Sequence, residues 1–289
     1  MSNVSVFIGM PSHRELSPQT NASLIETGAV LKTRNISYIQ EVVYGSSIVH
    51  VARTNVTKRF LDTDMSRLFW IDSDMVWTAE DFLTILALST KLECVGATYP
   101  SKEMPPRFLM NLDKDVNDLE TNEYGCFDQF KGFGLGFTCV QRKVMEQLAA
   151  KAPKLIFPGS PDPIPHVFRC DEDEGAFRGE DMAFFSDVRG LGYKVNLYPH
   201  INLGHVGPHV FRSDFMAALR EIHNASRDEA RKTAEQDAGK APVRVLPERP
   251  GTPEAPQHRR AAKGSARRNN QPAARRGAGS SQEGPRPEG

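Results

Sequence analysis

The sequence predicts an α/β fold: a single domain on a mostly parallel, doubly wound sheet, followed by a tail of different character. Three observations carry this. Short runs rich in branched and aromatic residues recur through the first hundred residues, and stretches of helical character separate them. Such alternation is the pattern of a parallel sheet covered by helices on both faces. Composition then changes near residue 239, where Pro, Gly, Ala and Arg replace the branched and aromatic residues.

The elements follow in order. VSVFIGMP (residues 4–11) reads as a buried strand. Residues 17–32 read as a helix, and YIQEVV (38–43) as a second strand. Ser46 or Ser47 is placed to cap a helix reaching Leu61, with Ile48, Val51, Ala52 and Val56 on one face. LFWID (68–72) is a third strand, Thr78 with Asp81 forms a capping box, and CVGATYP (94–100) is a fourth strand. After Pro100 the alternation breaks into short extended pieces, RFLMNL and GFTCVQ, then a helix at 142–150 and a Pro-rich loop. A helix at 179–191, a strand KVNLY and a long amphipathic helix capped by Ser213 complete the domain, residues 1–238.

Composition excludes several classes. At 289 residues and 39% hydrophobic content the chain suits a globular protein. No apolar run approaches the roughly 20 residues needed to span a bilayer. The N-terminus lacks the basic start and apolar core of a signal peptide, so the chain reads as cytoplasmic. Cys94, Cys126, Cys139 and Cys170 include no CxxC pair and read as packed thiols. The net charge of zero hides an asymmetry: from Ser226 onward there are 14 Lys and Arg against 8 Asp and Glu. Residues 239–289 cannot bury enough apolar surface to offset their ordering entropy and read as a disordered basic tail. Its paired arginines suit weak, salt-sensitive contact with nucleic acid or an anionic surface.

The stretch LFWIDSDMVW carries the chemistry. Asp72 and Asp74 flank Ser73 between two apolar segments, where paired carboxylates repel unless a positive group lies between them. A divalent cation meets that need: Mg2+ or Mn2+ takes one or two protein carboxylates and leaves positions for substrate phosphates. The pair also stands at the carboxyl end of a strand, where open parallel sheets bind ligands. DKDVND (113–118) and DEDEG (171–175) imitate calcium loops but lack the required Gly and Glu, and read as solvated loops.

IDSDM, GFGLGF (132–137), GEDMAF (179–184) and LGHVG (203–207) occur in that order, with VARTN (51–55) ahead of them. Together they resemble the GT-A fold, nucleotide-sugar-dependent glycosyltransferases, in particular the family 2-like enzymes of bacteria and their viruses. The resemblance covers roughly residues 4–209. It implies a nucleotide-sugar donor, a hydroxyl acceptor and Mn2+ or Mg2+. On it, Asp72 meets the ribose or donor sugar, and Asp74 with Asp72 and His205 forms the metal site. Asp181, with Glu180 beside it, is the general base. Pro11, Ser12, Arg53, Asn55, Ser73, Gly134 and Gly136 lie along the donor, with Arg53 either neutralising the diphosphate or forming a surface ion pair. Some similar viral enzymes modify bases in DNA, which is one use for a basic tail. Two rivals stand beside this reading. A nucleotidyltransferase needs a Gly- and Arg/Lys-rich loop after the first strand, where GMPSHRE has one Gly and one Arg. A catalytically silent sugar-binding protein has no need of the whole Asp, Glu and His set.

Overall fold

The computed structural model describes residues 4–157, 160–173 and 175–238. The basic tail expected from residue 239 lies outside the described residues. The first strand, β1 (Ser5–Pro11), is buried on both faces, as the centre of a parallel sheet requires. Helix α1 (Pro18–Thr33) follows, its first turn capped by the Ser17 hydroxyl accepting from the Thr20 N–H. Then come β2 (Ser37–Val43), α2 (Val49–Leu61), β3 (Arg67–Ile71), the short β4 (Met75–Val76) and α3 (Ala79–Leu88). The expected capping box at α3 is formed, with Thr78 and Asp81 each bonding the other's backbone N–H. Strand β5 (Cys94–Gly96) is shorter than expected: residues 97–100 leave the sheet, and Tyr99 among them lines the cavity of the candidate active site.

The second half contributes β6 (Met110–Leu112), β7 (Phe130–Phe133), β8 (Phe137–Gln141), α4 (Arg142–Lys151), β9 (Lys154–Leu155) and β10 (Ile164–Pro165). It ends with β11 (Asp171–Asp173), β12 (Ala176–Arg178), α5 (Glu180–Gly190), β13 (Asn196–Leu197), β14 (Gly204–Val206), β15 (Val210–Arg212) and α6 (Phe215–Ala238). The central sheet runs β13-β5-β8-β3-β1-β2. All its pairs are parallel except those of β8, which lies antiparallel between β3 and β5. The α/β class with a mostly parallel sheet is therefore as expected.

Alternate residues of β1 and β3 feed two cores, one on each face. Phe7, Leu68 and Trp70 pack with α2, α4 and α5, whereas Val6, Ile8, Phe69 and Ile71 pack with α1 and α3. Three local expectations fail. Neither Ser46 nor Ser47 caps α2: the N-cap is Ile48, and the Ser46 hydroxyl donates to the Ile48 carbonyl. Asp214, one residue after Ser213, caps α6 by accepting from the Ala217 N–H. The first three residues of DEDEG, Asp171–Asp173, form β11 paired with β12 rather than a solvated loop, and Asp171 is held by Arg169 and Arg178. The four cysteines are free thiols, and burial pushes those of Cys94, Cys126 and Cys139 upward. Among the described residues no helix is long and apolar enough to cross a membrane.

Candidate active site

The parallel strands β1, β2 and β3 end together, and the chain leaving β1 and β3 lines a cavity of about 310 Å³ there. Pro11, Ser12, Asp72, Ser73, Asp74 and His205, all singled out in the sequence, line it. Ser46, Ser47, Tyr99 and Leu109 form much of the remaining wall. Asn55, half-buried farther along α2, does not line it, nor do Arg53, Gly134, Gly136, Glu180 and Asp181.

The small sheet β15-β14-β4 delivers His205. In the β14–β4 pairing His205 stands opposite Met75, and the Val206 N–H donates to the Asp74 carbonyl at 2.8 Å. The His205 Nδ1 lies 2.9 Å from the Pro100 carbonyl, so Nδ1 carries the proton and donates it there. Nε2 faces Asp74, 3.5 Å from Oδ2: protonated, it donates to that carboxylate, and deprotonated, it is the nitrogen open to a cation. A ring anchored through one nitrogen to a backbone carbonyl is the usual arrangement of a metal-binding histidine. The Lys102 ammonium also contacts Asp74. Burial works to raise the Asp74 pKa, but hydrogen bonds with His205 and Lys102 outweigh it and hold the carboxyl below its ordinary value.

Asp72 has different partners. Arg53 Nη2 donates to its Oδ1 at 3.1 Å, and the Tyr99 hydroxyl donates to its Oδ2 at 3.3 Å. Burial, followed by the charges of Asp72 and Asp181, keeps the Tyr99 phenol protonated well above its usual range. Asp72 and Asp74 thus face different cations, and no cluster of three His, Cys, Asp or Glu gathers around one point among the described residues. Asp74 and His205 fit a divalent ion that takes few protein ligands and completes its shell with phosphate and water.

Arg53 is neither a surface ion pair nor open to the cavity. Its side chain is 3% exposed and lies among Asp72, Glu180 and Asp181. Burial disfavours its charge, but the three carboxylates more than compensate and raise its pKa. Asp181, at the start of α5, accepts from the Leu135 N–H at 3.2 Å. Burial pushes its pKa up to about 6, with Asp72 and Glu180 adding to the rise and Arg53 opposing it.

GFGLGF draws these groups together. The sequence reads its glycines as room for a ligand, but side chains of the protein fill that room. A Cβ on Gly136 would stand 2.5 Å from Asp72 Oδ2, and one on Gly134 would stand 2.6 Å from the Tyr99 hydroxyl. Gly136→Ala should therefore push Asp72 off Arg53 and Tyr99, with a stability loss of about 1–3 kcal/mol typical of overpacking. A thermal unfolding midpoint equal to the wild type's would show that the segment yields freely. Tyr99 and Lys102 are site residues that sequence reasoning missed.

Fold and site together define an α/β protein with a carboxylate-rich cleft where its parallel strands end. No family model matches the chain, and no curated protein matches it. Among solved structures it is similar to GalNAc-T7 with UDP, GalNAc and Mn2+, at 9% identity and a TM-score of 0.45, over 71% of this chain and 44% of that one. The chain thus spans less than half the length of GalNAc-T7. It is also similar to 4-diphosphocytidyl-2C-methyl-D-erythritol synthase from Anaerococcus prevotii, at 12% identity and a TM-score of 0.31, over 54% of this chain and 79% of that one. A third structure is a glycosyltransferase involved in glycosylation of the major capsid of PBCV-1, at 10% identity and a TM-score of 0.30, over 53% and 71%. Likeness this loose leaves the site's own residues as the ground for its chemistry.

Proposed function

We propose that the protein is a metal-dependent glycosyltransferase that moves a sugar from a nucleoside diphosphate donor to a hydroxyl acceptor. The observation that carries this is the division of labour among the carboxylates that line the cavity or join it through Arg53. Asp74 with His205 Nε2 suits a cation, while Asp72, at the carboxyl end of β3, shares Arg53 with Asp181 at the start of α5. Asp74 and His205 would hold Mn2+ or Mg2+, which when bound supplies Lewis-acid neutralisation of the leaving diphosphate. Asp72, committed to Arg53 and Tyr99, is assigned to the ribose or sugar of the donor rather than to the metal.

Asp181 is the general base. A base works best when its pKa lies near the operating pH, and a carboxyl raised to about 6 is ionised at neutral pH yet still basic enough to accept a proton. As the acceptor oxygen bonds to the anomeric carbon, the bond from that carbon to the phosphate oxygen breaks. The hydroxyl proton passes to Asp181 and the nucleoside diphosphate departs. The test is a panel of nucleotide-sugars scored by thermal stabilisation with and without Mn2+, since a ligand of the folded state raises its melting temperature. At least one nucleoside diphosphate sugar should stabilise the protein, and more so with Mn2+. A uniform lack of response would reject the donor assignment.

A further inference from the structure

Each of the three guanidinium nitrogens of Arg53 faces a different carboxylate. Nη2 donates to Asp72 at 3.1 Å, Nη1 lies 3.3 Å from Asp181 Oδ1, and Nε lies 4.0 Å from Glu180 Oε1. Asp72 follows β3, whereas Glu180 and Asp181 open α5, far later in the chain. The Phe168 ring lies 5.9 Å from the guanidinium carbon and stacks on Phe184 of α5 at 5.0 Å, so the helix carrying Asp181 also backs the arginine. The Leu135–Gly136 backbone is a second link, but a partial one. It receives the Asp72 N–H at the Gly136 carbonyl and donates the Leu135 N–H to Asp181 Oδ2.

We propose that Arg53 is a positioning residue, which fixes the donor-side carboxylate of Asp72 and the base-side carboxylate of Asp181 as one unit. This rests on the glycosyl-transfer reading above. The distance between the donor sugar and the group that takes the acceptor's proton is then set by one buried side chain. An arginine suits the task because its planar fork presents several donors in fixed directions, whereas an ammonium is a single point of charge. The contacts are also unequal. Arg53 Nε, Arg53 Nη1 and Asp181 Oδ1 are buried without a hydrogen-bond partner. Asp181 is thus held by charge, without a directed bond from Arg53 that would occupy the lone pairs it needs as a base.

A double-mutant cycle in the full-length protein tests this, because residues that act through one another give non-additive effects. Arg53→Lys keeps the charge but cannot face both carboxylates. It should lower kcat by about 10- to 100-fold, the scale of an ångström-sized misplacement, with donor KM changed less than kcat. In an Asp181→Asn background the same substitution should lower kcat by no more than about twofold, because the group it positions has lost its function. Equal kcat losses in both backgrounds, as a merely structural role would give, would overturn the proposal, as would an unchanged kcat in Arg53→Lys. The same cycle read by thermal unfolding needs no turnover. Arg53→Met should lower Tm more when Asp181 is present than in the Asp181→Asn background. If the wild type turns over no donor, the glycosyl-transfer reading has failed, and the unfolding cycle decides the clamp by itself: purely additive Tm shifts would remove it.

Discussion

Asp181→Asn lowers turnover by about two to four orders of magnitude, the usual worth of a general base. It does so while leaving donor affinity near that of the wild type, because Asp181 touches Arg53 and Leu135 rather than the Asp74–His205 pair. Two further readouts separate loss of a base from loss of structure. The first is pH: with a pKa of about 6, wild-type kcat/KM should fall about tenfold per unit below that pH, and the Asn variant should lack this limb. The second is stability. The Asp181 pKa is raised above its ordinary value of 3.8 by folding, so its protonated form is the one the fold favours. Its contribution is full below about pH 3.8 and is lost as pH rises through about 6. Above that pH the fold holds a buried charge that asparagine would not carry. Asp181→Asn should therefore raise Tm above pH 6, with the difference shrinking toward pH 4. A collapse of turnover in Glu180→Gln but not in Asp181→Asn would assign the base to the other carboxylate.

The second large effect is on the metal. Asp74→Asn should weaken Mn2+-dependent binding of a nucleoside diphosphate by at least about tenfold, and excess chelator should abolish transfer by the wild type. His205→Ala should follow it in direction, since Nε2 is turned toward Asp74 by the bond from Nδ1 to Pro100. Asp72→Asn should leave Mn2+ affinity nearly unchanged, because that carboxylate belongs to Arg53 and Tyr99. Calorimetric titration of Mn2+ with a nucleoside diphosphate orders the three variants. If Asp72→Asn loses as much metal affinity as Asp74→Asn, both aspartates share the cation and the division between them is wrong.

Much of the fold was legible because it depends on short-range pattern. The buried runs of β1 and β3 and the Thr78–Asp81 box are all set within a few residues of chain. Asp72 and Asp74 could be placed at the site because a strand's end is also local information. The direction of β8 was not legible, since a five-residue apolar strand reads the same parallel or antiparallel. Nor were the partners of Arg53: its place on a helix was clear, but carboxylates 19 and 128 residues away become its neighbours only through folding. Tyr99 and Lys102 lie where CVGATYP leaves the sheet, and nothing in the local pattern aims them at Asp72 and Asp74. The glycines of GFGLGF were recognised as sites of close approach, but the approaching groups proved to be Tyr99 and Asp72.

The most direct test of the central claim is to incubate the full-length protein with nucleoside diphosphate sugars and Mn2+ and identify the phosphorus-containing product. In the absence of acceptor, water takes the acceptor's place. The account predicts slow release of nucleoside diphosphate and free sugar, abolished by chelator and by Asp74→Asn. Release of nucleoside monophosphate with a sugar phosphate would mean that the bond between the two phosphates is the one broken, and would contradict it.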